Sequence, residues 1–68
     1  MTFNSNNLAI LRLNQVEEMV GLKHSAIYNM VDRGTFPKPI HLTKRAVGWL
    51  SHEVQAWLND RIAASRGI

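Results

Sequence analysis

Metal binding, proton transfer and nucleophilic attack each need particular side chains at particular spacings, and this chain offers few. His24, His41 and His52 stand 17 and 11 residues apart and the chain has no cysteine. That spacing matches no metal-site pattern, and without thiols there is no zinc ribbon, disulfide framework or cysteine nucleophile. Ser25 follows His24 directly, but neighbours on one helix diverge, and no carboxylate is evidently placed to orient the imidazole as a triad requires. Glu17 and Glu18 are likewise adjacent and leave their helix on different sides. No glycine-rich phosphate loop is present. These residues predict a protein that is not an enzyme and uses no metal or cofactor.

The basic residues are more informative. Lys23, Arg33, Lys38, Lys44 and Arg45 lie within residues 23–45 against Asp32 alone. Before them Arg12 faces Glu17 and Glu18; after them Arg61 and Arg66 balance Glu53 and Asp60. The net charge of +3 is therefore a property of the middle third. A localised positive surplus on a small domain predicts a polyanionic partner, nucleic acid foremost; the plainer alternative is a solvated face that maintains solubility.

Sixty-eight residues, 46% apolar and 19% charged, make one domain with a small core, and are too apolar for intrinsic disorder. The longest apolar run, Ala46-Val47-Gly48-Trp49-Leu50, is far short of a membrane span. Residues 1–7 are polar and uncharged, with no basic segment ahead of an apolar one, so no secretion signal is expected and the predicted location is cytoplasmic. They read as a flexible tail, residues 8–64 as the domain and residues 65–68 as a second short tail that frays.

Elements that could present the basic residues follow from periodicity. Leu8 to Leu13 is a short strand or an extended lead-in. Asn14 offers a cap with Glu17 completing a capping box, and Val16, Met19 and Val20 mark one apolar helical face before Gly21. A second helix carries Ile27, Met30 and Val31 inward, His24, Ser25, Tyr28, Asn29 and Asp32 outward, and stops at Gly34. Two short helices joined by Gly21-Leu22-Lys23 read as a helix-turn-helix. Phe36-Pro37-Lys38-Pro39 is extended. Ile40-His41-Leu42 and Val47-Gly48-Trp49 alternate with period two and read as a hairpin. Ile40, Leu42, Val47 and Trp49 are expected inside it, and Lys44 and Arg45 at its tip. Ser51 caps a third helix whose apolar stripe is Val54, Trp57, Leu58 and Ile62. Trp57 is expected to be buried against the first two helices. The predicted fold class is mainly α with a small β-hairpin, a compact winged helix-turn-helix.

This order of elements, with Ile10-Leu11-Arg12-Leu13, Val20-Gly21-Leu22, Ala26-Ile27-Tyr28, Gly34 to Ile40, Arg45-Ala46-Val47-Gly48-Trp49 and Val54 to Leu58, resembles the AlpA family of prophage regulators. Its members are small relatives of phage excisionases with a MerR-like winged-helix fold. The Phe-Pro-Lys-Pro and Arg-Ala-Val-Gly-Trp pieces at this separation are the specific part. The chain departs from the family pattern at Lys23, where serine is usual, and at His24 and Asn29, where arginine is common. The resemblance implies a prophage transcriptional regulator or an excisionase-like directionality factor, with double-stranded DNA as partner and a phage-type integrase as a second.

A winged helix lays its second helix in the major groove and its wing on the flanking backbone or minor groove. On that basis Asn29 is the candidate for adenine, His24 and Ser25 for base or phosphate, and Tyr28 and Lys38 for phosphate, with Lys23 also among the DNA-binding candidates. Lys44 and Arg45 form the wing contact, since a hairpin tip has little structural use for adjacent positive charges. Trp49 and Trp57 sit on core-facing positions and are not expected to stack on bases. A protein-interaction module that inhibits a transcription factor or recombinase without reading DNA is the alternative. Nothing in 68 residues resembles a dedicated dimer interface, so a monomer that associates on DNA is expected.

Overall fold

The computed structural model describes residues 9–67; residues 1–7, expected as a tail, and Leu8 and Ile68 lie outside that range. The elements run β1 (Ile10–Leu11), α1 (Leu13–Val20), α2 (His24–Arg33), β2 (Ile40–His41), β3 (Val47–Leu50) and α3 (Ser51–Arg66). The lead-in is a strand, so the expected two-stranded hairpin is part of a three-stranded antiparallel sheet of order β1-β3-β2. Ile10 faces Leu50 and Leu11 faces Trp49; on the other side of β3, Ile40 faces Gly48 and His41 faces Val47.

Helix α1 begins earlier than the expected Asn14 cap. Arg12 is the N-cap residue: its carbonyl accepts the N–H groups of Gln15 and Val16 at 2.9 Å, and its own N–H donates to Gln15 Oε1 at 2.8 Å. Gln15 therefore supplies the returning half of the capping box, and Glu17 does not. At the other end Gly21 takes φ +76° and donates to the Glu17 carbonyl, a left-handed stop that favours glycine. Helix α2 starts after Lys23, whose side chain makes no capping bond. It closes in a Schellman arrangement, with Gly34 N–H on the Val31 carbonyl and Thr35 N–H on the Met30 carbonyl.

Val16 from α1, Ile27 from α2, Phe36, Trp49 from β3 and Val54 from α3 are the buried core. Each major element thus sends one residue to a common centre, which explains how so short a chain holds together without disulfides.

Three expectations about this core are corrected. Ile40 and Leu42 are not inside; they are 38% and 41% exposed. The tip closes with Leu42 N–H on the Ala46 carbonyl, and this register puts Ile40 on the Gly48 side of the sheet, opposite to Trp49. Trp57 is half-buried rather than enclosed by α1 and α2, and packs edge-on against Phe36 with ring centroids 4.8 Å apart. Ile62 is 44% exposed, because α3 continues past the body it packs on. Helix α3 starts at Ser51 with Leu50 in the capping position and stays helical to Arg66, into the stretch expected to fray.

Candidate nucleic-acid interface

Helix α2 is amphipathic. Ile27 is fully buried and Met30 and Val31 half-buried, while His24, Ser25, Tyr28, Asn29 and Asp32 are exposed. Residues 24, 25, 28 and 29 share one helical face, with Lys23 at its N-terminal edge. Asp32 continues the same face and places a carboxylate where a phosphate would be repelled. Tyr28 serves the core as well: its ring lies 6.0 Å from that of Trp49, inclined at 58°, so it covers the buried indole from the solvent side.

His24 is tied to α1. Its Nδ1 lies 3.3 Å from Glu17 Oε2, across the Gly21-Leu22-Lys23 turn. The contact joins the end of the first helix to the start of the second, so His24 helps fix the angle between them. Adjacency to Glu18 gave no hint of this pairing; the seven-residue separation becomes a contact only once Gly21 reverses the chain.

The Thr35–Pro39 connection that carries Lys38 is fastened from both tryptophans. Trp57 Nε1 donates to the Thr35 carbonyl at 2.8 Å and Trp49 Nε1 to the Pro37 carbonyl at 2.9 Å. Thr35 also donates its N–H and Oγ1 to the Met30 carbonyl, and Phe36 is buried between these anchors. The indole N–H groups are thus satisfied by backbone, and one face of Trp57 carries the Arg61 guanidinium at 4.9 Å. Neither ring is presented as a stacking platform. Lys38 is exposed on a segment held at three points.

At the wing tip, Lys44 and Arg45 are exposed. The turn is shaped by Thr43, whose Oγ1 accepts the N–H groups of Arg45 at 3.2 Å and Ala46 at 3.0 Å. Thr43 is a positioning residue that attention to charge alone passes over; a threonine opening a turn is its sequence signal. All eight candidates (Lys23, His24, Ser25, Tyr28, Asn29, Lys38, Lys44 and Arg45) lie on the surface. They fall on two elements and the connection between them. Among the described residues, the side chains of Lys23, Lys38, Lys44 and Arg45 have no carboxylate partner.

A helix-turn-helix followed by a basic-tipped hairpin, both packed on one small core, defines a small winged-helix-like domain. Comparison with known proteins places it further. The family model described as Prophage CP4-57 regulatory protein (AlpA) matches residues 9–62, and the chain belongs to that family. It is similar to the uncharacterized protein ORF88 of Enterobacteria phage P4, with 39% identity over 56 residues that cover 82% of this chain and 64% of that one. It is also similar to the DNA-binding transcriptional activator AlpA of Escherichia coli (strain K12), with 33% identity over 64 residues, 85% of this chain and 91% of the activator. The chain thus spans just under two thirds of the phage relative and nearly all of the bacterial one. Among the described residues no helix is long and apolar enough to cross a membrane.

Proposed function

We propose that this protein is a sequence-specific double-stranded DNA-binding regulator of prophage genes. Helix α2 enters the major groove, with Asn29 on a base edge and His24 and Ser25 on base or phosphate. Lys23, Tyr28 and Lys38 hold phosphates beside it, and the wing lays Lys44 and Arg45 on the flanking backbone or minor groove. The observation that carries the reading is the set of uncompensated cations on the wing, the connection and the N-terminus of α2. Unpaired surface cations cost nothing to release from an internal partner and gain from displacing phosphate counterions. Family membership and the name of the Escherichia coli relative, a DNA-binding transcriptional activator, support the same reading. The resemblance to excisionases extends it to a directionality factor beside an integrase, a role that needs the same wedge of helix and wing.

Selection of bound duplexes from a random-sequence pool, followed by footprinting, tests the proposal. One enriched motif is expected, with major-groove contacts over a few base pairs and backbone protection beside them. Recovery of duplexes with no common motif, at a level no greater than an unrelated basic domain gives, contradicts it and favours the protein-interaction module instead.

A further inference from the structure

Strand β3 is held on both sides near Trp49, but its N-terminal end has an unequal bond pattern. The Ser51 N–H donates to the Ala9 carbonyl at 2.9 Å, so the odd-numbered residues of β3 direct their backbone groups toward β1. Leu42 N–H bonds the Ala46 carbonyl on the β2 side, which fits the same alternation. The carbonyl of Val47 therefore faces β1, yet β1 ends at Leu11 and the chain turns into α1. No strand residue is left to supply that rung. Arg12 supplies it from its side chain: Nε donates to the Val47 carbonyl at 3.1 Å.

Arg12 is also the N-cap of α1, with its backbone fixed by Gln15 and Val16. One residue thus joins the start of the helix-turn-helix to the foot of the wing. Between Val47 and the tip there are only Ala46 and the turn that carries Lys44 and Arg45. We propose that Arg12 is a positioning residue for DNA binding: it sets the direction of the wing relative to α1 and α2, and so where Lys44 and Arg45 meet the backbone. The proposal rests on the DNA-binding reading for its consequence, and on the free protein alone for its mechanism.

Arg12→Met and Arg12→Lys test it together. The methionine variant removes the charge and every side-chain donor; the lysine variant keeps the charge but puts a methylene where Nε stands. Amide residual dipolar couplings of the free protein are expected to fit one alignment for α1, α2 and the hairpin in wild type. In both variants the couplings of residues 40–48 should depart from that alignment while those of the helices stay. Hairpin couplings that still fit the helices in either variant overturn the proposal, whether or not the protein binds DNA. On a selected duplex, each variant should lose about fivefold in affinity, the scale of one ordinary hydrogen bond. Neutralising Lys44 and Arg45 should flatten the salt dependence less in the variants than in wild type. Additive losses, or a lysine variant that binds like wild type, identify Arg12 as a phosphate ligand in its own right and contradict the positioning role. Should wild type bind no duplex, the DNA reading fails separately, and the couplings still decide what Arg12 does.

Discussion

The two tryptophans divide structural labour that their spacing makes look alike. Trp49 is fully buried at the centre, while Trp57 is half-buried and holds the Thr35 carbonyl from outside. Trp49→Ala should cost about 3–5 kcal/mol, most of what a domain of this size has, at roughly 0.05–0.15 kcal/mol per residue. The variant should be largely unfolded at 37 °C by circular dichroism, with Trp57→Ala clearly less damaged; the reverse order would show that the centre of the core lies elsewhere. Trp57→Phe removes the indole N–H together with part of the ring that meets Phe36 and Arg61, and should cost about 1–3 kcal/mol. Surface candidates were legible residue by residue because charge and helical period report exposure directly. The His24–Glu17 contact and the Arg12 bond were not, since each joins residues far apart in the chain whose meeting depends on a turn.

Elements follow the same division between local and non-local information. Both helix stops were legible, because Gly21 and Gly34 take φ of +76° and +78°, a conformation that penalises any side chain. The face of the hairpin was not. Ile40, Leu42, Val47 and Trp49 would share a face if Leu42 were followed by a four-residue tip, but the pairing of Leu42 with Ala46 shortens the tip by one and turns β2 over. The difference is testable at the glycines. Gly21 has open space where a Cβ would go, so Gly21→Ala meets only backbone strain, about 1 kcal/mol. A Cβ on Gly48 would meet Ile10 Cγ2, the Leu11 carbonyl oxygen at 3.1 Å and Leu42 Cδ1 at 3.3 Å. Because the carbonyl belongs to the β1–β3 ladder and cannot give way cheaply, Gly48→Ala should cost about 1–3 kcal/mol. Thermal melts should rank Gly48→Ala below Gly21→Ala, which itself should fall roughly 4–8 °C below wild type, the shift expected for 1 kcal/mol in a domain of this size. Equal melting temperatures would place β1 or Leu42 away from Gly48.

Across the molecule, the exposed large apolar side chains among the described residues are Tyr28 on α2, Ile62 on α3, and Ile40 and Leu42 side by side on the β2 arm of the hairpin. They do not amount to a standard interface. Sedimentation at micromolar concentration should therefore give a monomer, and a stable dimer would contradict this. In the proposed function, affinity and specificity reside in different parts of the molecule, with cations of the wing on phosphates and one face of α2 on bases. The salt dependence of binding separates them most directly, measured on a selected duplex and on random DNA. Lys44→Gln with Arg45→Gln should weaken binding to both duplexes and flatten the slope of log K against log salt by roughly 0.9 for each phosphate no longer neutralised. Asn29→Ala should leave the slope unchanged, cost about 1–3 kcal/mol on the selected duplex and little on random DNA. A wing variant with the wild-type slope, together with an Asn29→Ala loss equal on both duplexes, would contradict this division between wing and helix.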